Sequence, residues 1–433
     1  LVVAYLNSSG LIEWDFMYVN AFYLLVVSVV LGVWGFRRRI DDVLSDPYGA
    51  MLYIGWAVLA LGTIGYSFAT GNDPMSDLYE DTIVYSHLAM GVAFFLYVYV
   101  NFRGPMAQGL PIHKIVFQPR IMPFGLALAL TGLIMLILLL RVGMFPFNQG
   151  VAGYHNYLGD LYFAQEQDVL AETYYKKALL FQQSNHKSNY ALASIARRHD
   201  NPEAMAAFLK QAIDNKPTPH TYAALSQLYS REDLFFDALF TLREGTRRFP
   251  DNGELLHNMA VLYERTRLPD SAYYFYQQAL PHAKRPEVVQ ANLLALWAKN
   301  LSGSPLDSVL NAAPSFDDYA FQNNRLAISN LLQKTDAKPY LPVGETAITR
   351  AQFAYLYNYT LNQRNRPDST AAHTIEKLSE NPVNAGYGGY LGFARAAWLY
   401  QNRQTGPAVS LMRDLEQGTD GIQSAHLNNT LGL

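Results

Sequence analysis

The sequence predicts an all-α protein in which a polytopic bundle of transmembrane helices is followed by a long solenoid of helical hairpins. Two observations lead to this prediction. Four apolar stretches within residues 16–141 approach the roughly 20 residues that a helix needs to cross a bilayer. Beyond them, residues 152–300 repeat with a period of 33–34 residues, which is typical of stacked hairpins.

Composition separates the two halves of the chain and excludes several kinds of site. The 433-residue chain has a formal net charge of −3 and contains no cysteine. Disulfides, thiolate nucleophiles, cysteine-ligated zinc and iron–sulfur clusters are therefore excluded. Residues 1–150 contain only 7 of the 33 Lys and Arg residues, and the rest of the chain is nearly balanced in charge. Neither half is basic enough to indicate a nucleic-acid partner.

The apolar stretches predict four membrane-spanning helices, at residues 16–36, 49–70, 82–102 and 121–140. A soluble helix is not apolar on every face over such a length, so these helices are expected to contact membrane lipid. Together they predict a membrane domain at residues 16–141. Residues 1–15 are expected to form an external segment, as the end of an upstream span, and residues 142–151 a linker.

Charged residues between the apolar stretches predict how the chain is oriented. The connections 37–48 and 103–120 carry arginine and lysine, whereas the predicted loop 71–81 carries only acids: Asp73, Asp77, Glu80 and Asp81. Basic loops tend to stay in the cytoplasm. We therefore expect residues beyond 141 to be extracytoplasmic, which in a bacterial inner membrane means periplasmic.

Small residues recur at seven-residue intervals in two of the predicted spans. They are Gly55, Gly62 and Ala69 in one span, and Gly125 and Gly132 in another. Small side chains allow helix backbones to approach closely in lipid. This spacing predicts that the spans pack on each other or on transmembrane helices of partner subunits.

The repeat in residues 152–300 is defined by residue types at fixed offsets. Its leucine-like positions are Leu158, Leu192, Leu225, Met259 and Leu293. Four residues after them come Tyr162, Ala196, Tyr229, Tyr263 and Trp297, and small residues follow at the thirteenth and twentieth positions, including Ala171, Ala178, Ala238, Gly245, Ala272 and Ala279. This pattern resembles the tetratricopeptide repeat (TPR) family.

The resemblance implies a right-handed superhelix whose inner groove binds peptides or partner domains. The family's inward positions correspond to a partner-binding set in this chain: Asn156, Tyr190, Arg197, Arg198, Gln227, Arg231, His257 and Arg265. Four of these are arginines, which favour an acidic ligand. Residues 301–433 match more weakly and are expected to form degenerate helical repeats, with 302–350 either a degenerate hairpin or an irregular bridge.

His87 is the ionisable residue that lies deepest in a predicted span, which makes it a candidate functional residue. We interpret it as a hydrogen-bonded packing residue. The alternative is an axial ligand of haem b, although no other predicted span offers a second histidine. The spacing of the acids in 71–81 matches no calcium loop, so no metal site is predicted.

These features favour a non-enzymatic function: a membrane-anchored scaffold that recruits or organises protein partners of a cell-envelope complex on the extracytoplasmic side. No catalytic motif is present in the chain. The competing interpretation is the C-terminal part of a polytopic membrane enzyme, similar to a glycosyltransferase, whose catalytic half lies upstream. A third is an electron-transfer subunit that holds haem through His87.

Overall fold

The computed structural model describes residues 20–40, 47–109, 121–141, 145–301, 303–335, 346–363 and 369–417. These segments are helical, and the described part of the chain contains no strand. The chain divides into two compact units, residues 1–221 and 222–433. The helices of the first unit are α1 (Ala21–Ile40), α2 (Tyr48–Ala69), α3 (Asp73–Ala107), α4 (Phe124–Arg141), α5 (Phe145–Ala164), α6 (Asp168–Phe181), α7 (His186–Arg198) and α8 (Pro202–Asn215).

The unit boundary falls within α9 (Pro219–Arg231), and hairpins continue through the second unit. Its α-helices are α10 (Phe235–Arg248), α11 (Gly253–Arg265), α12 (Pro269–Ala279), α13 (Pro286–Asn300), α14 (Ser304–Ala312), α15 (Tyr319–Leu331), α16 (Arg350–Asn362), α17 (Ser369–Glu380), α18 (Gly388–Gln401) and α19 (Thr405–Gln417). Two 3₁₀ helices, Leu280–His282 and Pro382–Tyr387, join them. The segment predicted as a degenerate hairpin or a bridge thus contains α14 and α15.

Among the residues that the structure describes, two helices, α2 and α3, are long and apolar enough to cross a membrane, where the sequence predicted four such helices. The apolar parts of α1 and α4 are shorter, at Ala21–Phe36 and Phe124–Leu138. Residues 1–19, which include the predicted external segment and the start of the first predicted span, lie outside the described residues. Most side chains of α2 are exposed, and its buried residues are Gly49 and Ser67.

Two predicted boundaries differ from the structure. The acidic segment 71–81 is not a loop, because α3 begins at Asp73 and only residues 70–72 separate it from α2. Pro74 in the first turn and an acid at the helix N-terminus both favour this early start. The predicted linker is also largely helical, since α5 begins at Phe145. The helical array therefore starts before residue 152.

One turn recurs between the two helices of successive hairpins. It places a residue other than glycine in the left-handed region, with φ between 50° and 60°, at Glu166, Asp200, Asp233, Arg267, Gln333 and Arg403. The next residue then donates its N–H to a carbonyl five residues earlier, as Asn201 does to Ala196 at 2.9 Å. This Schellman-type bond satisfies carbonyls that the helix end leaves free.

The same turn joins α2 to α3. Gly71 has a φ of 63°, and the Asn72 N–H donates to the Ser67 carbonyl at 2.9 Å. The hydroxyls of Ser67 and Ser76 are bonded to each other across the hairpin at 2.8 Å. The apolar hairpin α2–α3 is therefore built like the hairpins that follow it.

The small residues of the repeat pattern lie where helices cross. A Cβ on Gly159 would be only 2.6 Å from the Tyr175 ring, and a Cβ on Gly245 would be 3.0 Å from Tyr222. Ala171, Ala178, Ala238, Ala272 and Ala279 have no exposed surface. Such close crossings bury the large aromatic residue beside each small one, which stabilises each hairpin through dense packing.

Candidate functional site

A buried polar cluster connects the α2–α3 turn to the first two hairpins of the array. Asn72, Asn156, Asn185 and Ser188 are all fully buried. Asn72 donates to the Gly153 carbonyl at 2.8 Å, and Asn156 donates to the Asn72 side-chain oxygen at 3.0 Å. The Ser188 hydroxyl donates to Asn156 at 2.6 Å, and Asn185 donates to Ser188 at 2.8 Å. We call these four residues, with Asp73 and Lys187, the polar joint.

Asp73 caps a helix that lies 113 positions away in the sequence. One of its carboxylate oxygens accepts from the His186 N–H at 3.0 Å, and the other accepts from the Lys187 N–H at 2.9 Å. Asn185 caps the same helix locally, because its side chain accepts from the Ser188 N–H. The first amides of α7 thus have partners from two segments, and a carboxylate at this end is favoured by the helix dipole.

Lys187 extends the joint on its other side. Its ammonium donates to the Thr70 carbonyl at 2.7 Å and forms an ion pair with Asp160 at 2.9 Å. Asp160 also accepts from the Tyr175 hydroxyl at 2.6 Å. Burial, together with this hydrogen bond, raises the pKa of Tyr175 well above its ordinary value, so the phenol remains a donor. Lys187 therefore links the α2–α3 turn to Asp160 of α5, which also holds Tyr175 of α6.

Backbone packing accompanies these polar contacts. A Cβ on Gly153 of α5 would be 3.0 Å from the Met75 Cβ and 3.3 Å from the Met75 backbone nitrogen. Glycine allows α3 and α5 to approach this closely, and a larger residue would push Met75 away slightly. The start of α3 thus packs directly on the first helix of the array.

Asp77 lies one helical turn beyond Asp73, ahead of the apolar stretch 82–102. Burial raises its pKa to about 6, Lys216 opposes the increase, and the charges of Asp73, Asp81 and Glu80 add to it. Gln149 of α5 is buried and donates to Asp81 at 3.4 Å. Among the described residues, no group of His, Asp or Glu side chains is arranged to hold a metal ion.

The predicted groove residues of the first unit have different environments. Asn156 is fully buried and bonded to Asn72, so its amide is occupied by this chain and is not open to a partner. Tyr190 stacks on His186 at the edge of an open cleft. Arg198 forms an ion pair with Asp168 at 2.7 Å and lies over the Phe163 ring, whereas Arg197 is exposed.

The predicted groove residues of the second unit also divide into engaged and exposed side chains. The His257 ring is bonded to Asn292 at 2.8 Å, and burial lowers its pKa. Arg265 donates to the Ser230 carbonyl at 2.8 Å and lies 3.6 Å from Asp233. Gln227 and Arg231 are exposed. The arginines most accessible to a ligand are therefore Arg197 in the first unit and Arg231 in the second.

Both ring nitrogens of His87 have partners in α1 and α3. Nδ1 donates to the Ile83 carbonyl at 2.7 Å, because a carbonyl can only accept. Nε2 of the neutral ring then accepts from the Ser28 hydroxyl at 2.7 Å, which joins α3 to α1. This geometry favours the packing interpretation over haem ligation, which stays an untested alternative.

Sequence reasoning missed the polar joint, although two of its signals were readable. Asn185 stands directly before a helical pattern, as an N-cap residue does. Gly71 followed by Pro74 is typical of one helix ending and the next beginning. The long-range pairs had no such signal, because Asn72 and Asn156 are 84 positions apart.

No protein-family model matches the chain, and no curated protein matches it. Several solved structures do. The Pseudomonas aeruginosa pilF structure is 13% identical, with 53% of this chain and 98% of that chain covered and a TM-score of 0.38. Yeast Tom70 is 9% identical, with 94% of each chain covered and a TM-score of 0.39. The human IFIT1 dimer with m7Gppp-AAAA is 12% identical, with 86% of this chain and 89% of that chain covered and a TM-score of 0.34. At such low similarity, the TPR-like fold rests on the hairpins and turns of this chain.

Proposed function

We propose that this protein is a membrane-anchored scaffold whose TPR-like array holds protein partners of a cell-envelope complex. The observation that supports the proposal most strongly is the polar joint. It fastens a hairpin of two helices with membrane-spanning character, α2 and α3, directly to the first hairpins of the array. A tether would need no buried contacts of this kind, whereas a scaffold needs a defined orientation relative to its anchor.

The exposed surface of α2 supports the anchoring part of the proposal. Its apolar side chains point away from the rest of the protein, as Trp56 and Leu59 do with about two-thirds of their surface exposed. Water would disfavour such a surface by roughly 25 cal/mol per Å² of apolar area. Lipid removes this cost, so a membrane is the environment that suits α2 best, and the shorter helices α1 and α4 would complete a polytopic domain.

Carbonate extraction and cysteine labelling test the anchoring and the proposed periplasmic orientation. The full chain should remain in the membrane pellet at alkaline pH, because only an integral protein resists that extraction. Ser184→Cys lies in an exposed turn of the array and should react with an impermeant thiol reagent in intact spheroplasts. Ser45→Cys should stay protected, since it lies between two predicted spans on the cytoplasmic side. The reverse labelling pattern would invert the orientation.

Partner binding is proposed to use the exposed arginines of the array. Partners are first identified by cross-linking in membranes. Arg197→Glu combined with Arg231→Glu should lower the affinity for these partners about tenfold or more, because each well-formed contact to an acidic group contributes about 1.5–3 kcal/mol. The matched control reverses Arg248, which lies near the end of α10 and outside the predicted groove. Equal binding by the double variant and the control would remove the arginines from the recognition surface.

A further inference from the structure

An open cleft lies at the end of α2, beside the polar joint. Its volume is about 400 Å³, which is within the range of small-ligand sites. One wall comes from the α2–α3 hairpin, and the other comes from the start of α7 and the connection between α8 and α9. The lining residues are Ser67, Phe68, Gly71, Asp73, Ser76, His186, Tyr190, Lys216, Thr218 and His220.

The polar groups that face this cleft differ in whether their bonds are already made. Asp73 is bonded to two amides of α7, and Ser67 is bonded to Ser76. The Lys216 side chain is exposed and has no hydrogen bond or ion pair within the described part of the chain, and its charge acts on Asp77 from a distance. His186 donates from Nδ1 to the Ala212 carbonyl at 3.2 Å, so Nε2 of the neutral ring is left as an acceptor. The cleft therefore offers a cation and an acceptor to a ligand.

The apolar part of the cleft continues onto the surface of α2. Phe68 is 54% exposed at the cleft, and Leu61, two turns earlier on the same side of α2, is 39% exposed. Below them, the exposed apolar side chains of α2 extend as far as Met51. A ligand with an acyl chain can lie along this surface while its polar end reaches Lys216.

We propose that the cleft binds the headgroup of an anionic glycerophospholipid whose acyl chain lies along α2. Lys216 pairs with the phosphodiester, and Nε2 of His186 accepts a headgroup hydroxyl. The charge of Asp73 does not oppose this, because the amides of α7 already satisfy it. The proposal rests on the membrane anchoring proposed above, since a lipid reaches the cleft only if α2 is in a bilayer. Its consequence is that lipid would stabilise the orientation of the array at the membrane surface.

Native mass spectrometry of the full chain, released from detergent, tests this site. The probe is dioleoyl phosphatidylglycerol, compared with dioleoyl phosphatidylcholine and with soluble glycerol phosphate. The wild type should retain one phosphatidylglycerol, and Lys216→Gln should bind it about tenfold more weakly, as expected for the loss of one charge-assisted bond. The matched control is Lys210→Gln, because Lys210 is an exposed lysine of α8 outside the cleft, and this variant should bind like the wild type.

Three results would overturn the lipid site. They are unchanged phosphatidylglycerol binding in Lys216→Gln, equal retention of phosphatidylcholine by the wild type, and displacement of the lipid by equimolar glycerol phosphate, which would identify a free phosphate ligand. Carbonate extraction of the same variants separates the two proposals. Release of the wild type from the membrane would refute the proposed anchoring. If the wild type is retained and Lys216→Gln binds phosphatidylglycerol as well as the wild type does, only the proposed lipid site is refuted.

Discussion

Replacing Asp73 with alanine should loosen the array from the α2–α3 hairpin without unfolding either. The carboxylate is 8% exposed and accepts from the N–H groups of His186 and Lys187. Losing a helix cap costs about 0.5–2 kcal/mol, and hydrogen bonds to a charged group contribute about 1.5–3 kcal/mol each. The variant also removes the free-energy cost of burying a charged carboxylate, which offsets part of this loss. We therefore expect a net loss of about 2–3 kcal/mol of local stability at the start of α7.

Hydrogen exchange of the full chain in detergent measures this loss directly. A change of 2 kcal/mol corresponds to about a 30-fold faster exchange in the peptide that contains residues 186 and 187. Exchange in α11 and α12 of the second unit should not change. The matched control is Asp214→Ala, because Asp214 is an exposed acid on α8.

Unchanged exchange at the start of α7 in Asp73→Ala would refute the reasoning. Water or the local cap from Asn185 would then be replacing the carboxylate, and the joint would not depend on Asp73. Faster exchange throughout the first unit, including α6, would also contradict the expectation of a local effect.

Two further predictions concern the pH dependence of stability from Asp77 and the packing of the first hairpin. Folding raises the pKa of Asp77 from 3.8 to about 6, so the folded protein binds this proton more tightly than the unfolded chain does. The resulting contribution to the free energy of unfolding is fully present below about pH 4. It is lost as the pH rises through 6. Partial exposure reduces this contribution to about 1–2 kcal/mol. Asp77→Asn should therefore flatten the dependence of Tm on pH between 4 and 7. An unchanged slope would exclude Asp77 as the source of the pH dependence. Gly159→Ala should lower the free energy of unfolding by about 1–3 kcal/mol, because its Cβ would lie 2.6 Å from the Tyr175 ring. The control Gly406→Ala in α19, where nothing lies within 4 Å of the added Cβ, should leave Tm unchanged or higher. Equal shifts of Tm in the two variants would contradict the packing of the first hairpin.

The repeat array was predictable because its signals are local and periodic. Fixed offsets identify small residues such as Ala171 and Gly245, and the structure places both where helices cross. The recurring left-handed turn was not predicted, because it places charged or amide residues such as Glu166 and Gln333 where glycine is usually expected.

The site was less predictable, because it depends on what precedes the array. Offsets within the repeat place Asn156 on the inner face of the first hairpin. They do not reveal that the α2–α3 hairpin stands before it and occupies the Asn156 amide through Asn72. The charge of the acids at 73–81 favours a loop, whereas Pro74 and the Gly71 turn make these residues the start of α3.

Disulfide formation between α3 and α5 tests the central claim, that the α2–α3 hairpin is packed directly on the first helix of the array. The chain has no cysteine of its own, so Met75→Cys with Gly153→Cys gives a single pair. The Cβ positions are 3.0 Å apart and need a shift of a few tenths of an ångström to reach the roughly 3.5–4.5 Å of a disulfide. Mild oxidation in native membranes should cross-link this pair nearly completely, as shown by mobility after cleavage between the two positions. The control pair is Tyr222→Cys with Gly245→Cys, whose Cβ positions are also 3.0 Å apart. If the control pair is oxidised and the Met75–Gly153 pair stays reduced, the α2–α3 hairpin and the array are not packed together.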